Sequence, residues 1–94
     1  MVTVWSKRAE AELQKAYKYI YQFSPQNAAK VRDEIIDMTV DLVKNPEIFP
    51  ADKWKRDGKW RAFEKYHYRI SYLITSTEIR IVRMRHTSRS PLNY

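Results

Sequence analysis

The side chains of this 94-residue chain that could do chemistry are mostly cations, and they are unevenly placed. Residues 1–50 hold seven Lys or Arg and seven Asp or Glu, so they balance. Residues 51–94 hold eleven Lys or Arg against four Asp or Glu, which accounts for the whole net charge of +7. The excess includes Arg61 and Lys65, then Arg69, then the run Arg83-Met84-Arg85-His86-Thr87-Ser88-Arg89. Unbalanced cations on a rigid support imply a polyanionic or acidic partner.

Other chemistries are poorly provided for. A single glycine excludes the phosphate cradles that need several glycines close together. Without cysteine there is no disulfide and no thiolate zinc site. His67 and His86 stand 19 positions apart with no cluster of carboxylates around them, which is a weak basis for a metal centre. No nucleophile elbow is present. Neither a metal nor a cofactor is therefore expected. Asp33, Glu34, Asp37 and Asp41 read as helix-surface partners of Lys30 and Arg32 rather than as an acid–base pair.

The elements that must position the cations follow from periodicity. Val2-Thr3-Val4-Trp5 is β-branched and aromatic, a short strand. Ser6 can cap a helix over about 6–22, with Ala9, Leu13, Ala16 or Tyr17, Ile20 and Phe23 at helical spacing. Tyr17, Tyr19, Tyr21 and Phe23 are assigned to core and hairpin packing. Ser24-Pro25 opens a second helix over about 25–44, ending before Pro46, and the short joint makes an antiparallel helix hairpin. After a loop at 45–58 the period changes from 3.6 to 2. Strands are expected at 60–65, at 66–74 and at 77–85, close enough together for an antiparallel meander.

The fold class is α+β, ordered β-α-α-β-β-β, with the helix hairpin packed on one face of a small twisted antiparallel sheet. Arg61, Lys65 and Arg69 are expected on the opposite, open face, and Tyr66, Tyr68 and Tyr72 on the helix side. A chain this short forms one domain, 1–94, whose core is thin because only roughly two-thirds of the unfolded surface is buried. No apolar run approaches the roughly 18 residues of a membrane span, and Met1-Val2-Thr3-Val4-Trp5 is not a signal peptide. A soluble cytoplasmic protein is expected.

At the level of motif order the chain resembles the RelE/ParE superfamily of type II toxin–antitoxin toxins over essentially its whole length. The parts are the Ser6-Lys7-Arg8-Ala9 start, the Pro25-centred helix joint and the Asn45-Pro46 end of the second helix. Trp60-Arg61-Ala62-Phe63, Tyr68-Arg69-Ile70-Ser71-Tyr72 and a last strand running into Arg85-His86-Thr87-Ser88-Arg89 complete the series. The resemblance implies a growth-inhibiting protein neutralised by a cognate antitoxin with an acidic, apolar C-terminal segment. RelE-like members cleave mRNA on the ribosome. ParE-like members inhibit DNA gyrase and are not nucleases.

On a RelE-like reading, the resemblance implies a metal-free cleavage in which the 2′-hydroxyl attacks the adjacent phosphate. Arg69 would hold the scissile phosphate, Arg89 would stabilise the transition state, and Arg61 would sit near the position of the base. His86 would act as acid or base, and Tyr94 would stack on or orient a nucleotide. The residue two positions after Arg61 is Phe63, however, where the ribonucleases often carry a second basic residue. Arginine is also a poor general base, being protonated at any working pH.

The reading therefore leans to the ParE-like, non-nuclease branch. The RelE-like ribonuclease is the alternative, and a non-toxic RNA-binding module is a third reading. Either toxin branch would place target or antitoxin contacts on Arg61, Lys65, Arg69, Arg83, Arg85 and Arg89.

Overall fold

The computed structural model describes residues 1–51 and 58–88. Strand β1 (Val2–Trp5) leads into α1 (Lys7–Tyr21) and α2 (Pro25–Asp41), and a single 3₁₀ turn follows at Leu42–Lys44. Strands β2 (Trp60–Lys65), β3 (Tyr68–Ile74) and β4 (Glu78–His86) complete the fold. The caps act as expected: the Ser6 hydroxyl accepts from the Ala9 N–H at 3.0 Å, and Ser24 accepts from the Asn27 N–H at 3.2 Å. Pro25 occupies the first turn of α2, where a missing N–H leaves no bond unmade.

The sheet is mixed, in the order β1-β4-β3-β2. The three-strand meander is antiparallel, and β1 joins it in parallel, Val2 opposite Glu78 through Trp5 opposite Ile81. Register shifts between Ser71 and Tyr72, leaving Val82 as the extra residue of a bulge in β4.

The helix hairpin covers one face. Phe63, Ile70, Tyr72, Ile79, Ile81 and Met84 from the sheet meet Ala9, Ala16, Val31, Ile35 and Leu42 in one core. Thr39 is its buried polar member, and its bonds are made: its hydroxyl donates to the Ile36 carbonyl at 2.7 Å and accepts from the Trp5 indole at 3.2 Å. The Thr3 hydroxyl donates to the Thr39 carbonyl at 2.6 Å, which ties the first strand to the second helix.

The β2–β3 connection differs from the expectation. The alternation places Tyr66 and His67 in the strand, but they form a two-residue hairpin turn with φ of 53° and 65°. Positive φ at both central positions gives a turn whose twist matches the flanking strands, normally with an Asn-Gly pair. The tyrosine pattern continues the period-2 alternation through the turn, so nothing in it marks the reversal. Contacts to α2 hold the turn: the Tyr66 hydroxyl donates to Glu34 at 2.6 Å, and the Lys65 Nζ lies 3.8 Å from the same carboxylate. That Nζ also sits 5.0 Å from the Tyr66 ring centroid.

The loop after the helices is anchored to the sheet. The Tyr72 hydroxyl, on a fully buried side chain, donates to the Pro46 carbonyl at 2.8 Å, and the Phe49 ring stacks on Phe63 with centroids 5.0 Å apart. Among the described residues no helix is long and apolar enough to cross a membrane.

Candidate functional site

Strand alternation sorts the cations by face. In β2, Arg61, Phe63 and Lys65 stand opposite Tyr72, Ile70 and Tyr68, the residues that pack toward the helices. Trp60, Ala62 and Glu64 stand opposite Leu73, Ser71 and Arg69 on the other side. The expectation that Arg61, Lys65 and Arg69 share the open face is therefore corrected. Arg61 and Lys65 have the parity of Phe63, which the core claims, and Arg69 has the opposite parity.

Arg61 is a loop staple. Its side chain is 14% exposed, and its Nε donates to the Gly58 carbonyl at 3.0 Å. One terminal nitrogen donates to the carbonyls of Phe49 at 2.7 Å and Glu47 at 3.3 Å. The Glu47 carboxylate lies 3.9 Å from the other. Gly58 takes φ of 73°, a conformation that favours glycine, and so turns its carbonyl to the guanidinium. Lys65 is likewise committed to Glu34 and Tyr66.

The open face carries a different set. Arg69 stands opposite Arg85 on β4 and opposite Glu64 on β2, its Nη1 3.9 Å from the Glu64 carboxylate. Two arginines thus meet across the strand pair, with the Glu64 carboxylate beside them. The neighbouring row, Ala62 opposite Ser71, has short side chains and leaves room beside them. Farther along, Arg80 pairs with Glu78 at 2.9 Å. This face is a half-exposed cationic strip, suited to an anionic or acidic surface.

Arg83 lies at the β4 edge. Strand β1 pairs only as far as Ile81, and beyond it α1 runs beside β4 in the same direction. The Ser6 N–H donates to the Ile81 carbonyl at 2.9 Å, and Glu12 accepts the Met84 N–H at 2.9 Å and the Arg83 Nε at 3.1 Å. A carboxylate thus closes the stretch of strand edge that β1 leaves bare.

His86 stands in register with Tyr68, the two rings edge-to-face with centroids 5.0 Å apart, so it does not share the Arg69 face. Its Nδ1 bonds to Ser88, 2.6 Å from the hydroxyl and 3.2 Å from the backbone N–H. The His67 ring lies 6.3 Å from that of His86, and the Thr87 N–H donates to the His67 carbonyl at 2.7 Å. Arg89 and Tyr94 lie outside the described residues. Of the expected site residues, the fold brings Arg69 and Arg85 together, and it separates both from Arg61 and His86.

Sequence reasoning missed a groove and an aromatic tip on the helix hairpin. The groove, of about 660 Å³, is lined by Trp5, Leu13, Tyr17 and Ile36 with Lys18 and Arg32 among its charged neighbours. Arg32 lies 4.8 Å from the Tyr17 ring centroid. Assigning the aromatic run to packing is correct only in part: Tyr19, Tyr21 and Phe23 are 58%, 51% and 74% exposed. Residues two apart on a helix project to opposite sides, so one helix face could not bury them all.

The architecture is that of the RelE/ParE superfamily, and the comparisons with known proteins agree. The family described as "ParE toxin of type II toxin-antitoxin system, parDE" matches residues 3–91. The chain belongs to this ParE toxin family of type II toxin–antitoxin systems. Among solved structures, it is similar to a chain of a chromosomal ParDE system from P. aeruginosa. The identity there is 21%, over 94% of this chain and 97% of that one, with a TM-score of 0.73.

A YoeB from Staphylococcus aureus, solved as a dimer, is similar at 16% identity over 90% and 94% of the two chains, with a TM-score of 0.59. A YoeB/ParE toxin from Agrobacterium tumefaciens is similar at 14% identity over 92% and 98%, with a TM-score of 0.61. At these identities the likeness concerns the fold. No curated protein matches the chain in sequence.

Proposed function

We propose that this toxin arrests growth without cleaving RNA, by inhibiting DNA gyrase, and that a cognate ParD-type antitoxin with an acidic, apolar C-terminal segment neutralises it. One observation carries the non-nuclease reading. Metal-free RNA cleavage needs a base, an acid and a cation converging on one phosphate, and the residues that would supply them are divided between the two faces of the sheet. Arg61 is bound to loop carbonyls on the helix side and His86 stands with Tyr68, whereas Arg69 is on the open face. The strip of Arg69 and Arg85 supplies a contact surface, and the carboxylate beside it, Glu64, is engaged as the ion-pair partner of Arg69. The strip suits the acidic segment of an antitoxin as well as an anionic target surface.

The test is induction of the toxin alone, followed by two assays. Plasmid supercoiling by gyrase should fall, and translating ribosomes should yield no new mRNA ends. New ends with supercoiling intact would assign the chain to the ribonuclease branch. Arg69→Ala with Arg85→Ala should relieve the arrest by an order of magnitude or more in surviving colonies, as loss of a central contact of about 2 kcal/mol would do. Unchanged arrest in a folded double variant removes the open face from the mechanism.

A further inference from the structure

The first half of the chain balances in total charge, but the balance hides a separation. Residues 13–30 carry Lys15, Lys18 and Lys30 and no acidic residue, whereas Arg32 is paired with Asp33 at 3.0 Å and Glu34, Asp37 and Asp41 follow. The cationic stretch is the joint end of the helix hairpin. Because α1 runs beside β4 in the same direction, with Ser6 at Ile81 and Glu12 at Met84, this end projects past the end of β4.

The same stretch holds the exposed aromatic rings. Tyr19 and Phe23 meet edge-to-face with centroids 5.4 Å apart, and Tyr17 and Tyr21 are 5.8 Å apart. Lys15, Lys18 and Lys30 are exposed alongside them. Leaving three large rings in water forgoes apolar burial worth roughly 1.5–3 kcal/mol for a Phe-sized side chain.

We propose that the tip of the helix hairpin is a stacking surface for single-stranded nucleic acid, with Tyr19 and Phe23 as the platform and the surrounding lysines tracking the phosphates. Shape decides between this occupant and an acidic protein segment. A protein partner gains most by seating an anchor in a concave pocket, and the groove lined by Trp5, Leu13, Tyr17 and Ile36 is such a concavity. The tip projects and leaves Tyr19, Tyr21 and Phe23 exposed on the same end as the exposed Lys15, Lys18 and Lys30. Unstacked bases have a face for any aromatic ring and a charge for each amine, with no pocket needed. A duplex keeps its base faces covered and can use only the amines. The inference holds for either toxin branch, because it concerns the helix hairpin and makes no use of the sheet arginines.

The experiment is fluorescence anisotropy with the full chain and a labelled single-stranded oligonucleotide. A duplex of the same sequence and a poly-glutamate chain are run in parallel, over a series of salt concentrations. The single strand should bind more tightly than either comparator. Tyr19→Ala with Phe23→Ala should weaken single-strand binding by about tenfold or more while leaving duplex binding unchanged. Tyr19→Phe should keep the affinity, since it keeps the ring. Lys18→Ala should lower the salt slope by about one unit without altering the preference for single strands.

These side chains are exposed, so circular dichroism melts of the variants should match the parent and exclude misfolding. The proposal is overturned if the double variant binds the single strand as the parent does. It is equally overturned if the duplex binds as tightly as the single strand. If poly-glutamate binds as tightly and loses as much from the double substitution, the tip is a site for acidic protein instead.

Discussion

On the helix side of the sheet, Arg61 gives its guanidinium to three backbone carbonyls and holds a loop in place. On the other side Arg69 faces Arg85 across the strand pair, with Glu64 at the limit of ion-pair distance. Both Arg61 and Arg69 lie on adjacent strands and both come from the basic half of the chain. Their difference is one of parity: Arg61 shares its side with Phe63, and Arg69 is offset by one from Ile70. The lesson is that a basic sheet carries cations of two kinds, those that hold a loop in place from the helix side and those set on the open face.

Substitutions can break this comparison. The largest effect on stability should come from Arg61→Ala, which removes a nearly buried charge and leaves the carbonyls of Gly58 and Phe49 without their donor. A loss of about 2–3 kcal/mol is expected, read as a lower urea midpoint. Arg69→Ala should stay within about 0.5 kcal/mol of the parent in the same measurement. If Arg69→Ala destabilises as much as Arg61→Ala, the distinction between the two faces fails.

A smaller loss, about 1–2 kcal/mol, is expected for Glu12→Ala, because the Met84 N–H at the strand edge loses its acceptor. Thermal melts would show it, and concentration-dependent light scattering should rise as the edge opens.

Alkaline pH sharpens the contrast from the helix side. Burial pushes the Tyr72 phenol above its ordinary value, with Arg61 opposing, and the hydrogen bond to Glu34 raises that of Tyr66. Both phenols are neutral in the folded and unfolded chain below about pH 10. Above that the unfolded chain deprotonates first. Their contribution is therefore complete below the ordinary tyrosine range and is lost as pH rises through the higher native values. Urea midpoints measured upward from pH 8 should fall past pH 10, and Tyr72→Phe should flatten the fall. The smallest effect should be a gain at the hairpin turn. An Asn-Gly pair suits two positive φ angles, so Tyr66→Asn with His67→Gly should raise stability by about 1 kcal/mol, less what the lost Glu34 contact takes back. A melt that falls instead would show that Tyr66 holds the turn more firmly than its backbone strains it.

Much of the fold is legible because the signals are local. Ser6, Ser24 and Pro25 mark helix starts through backbone groups within a turn of themselves, and β2 and β4 follow from short alternating runs. The Tyr66-His67 turn is not legible, since neither residue type advertises positive φ and the partner that fixes it, Glu34, is 32 positions away. Site placement is harder still. Arg61 and Arg69 differ by an even number of positions, so a single alternation carried from one to the other puts them on one face. The reversal at Tyr66-His67 breaks that count. The clustering of hairpin cations is hidden when charge is added up over fifty residues rather than over twenty.

The parallel pairing of β1 with β4 joins Val2 to Glu78 and Trp5 to Ile81, the beginning of the chain to nearly its end. No amino-terminal fragment short of β4 contains the neighbour that its first strand requires. During synthesis, every intermediate length therefore lacks the closed sheet, and the open-face pair is incomplete until Arg85 has been added. The sheet closes in one late step, after closure of a loop spanning most of the molecule, which is slow compared with local hairpins. That interval gives a partner already present in the cell time to meet the protein as it forms.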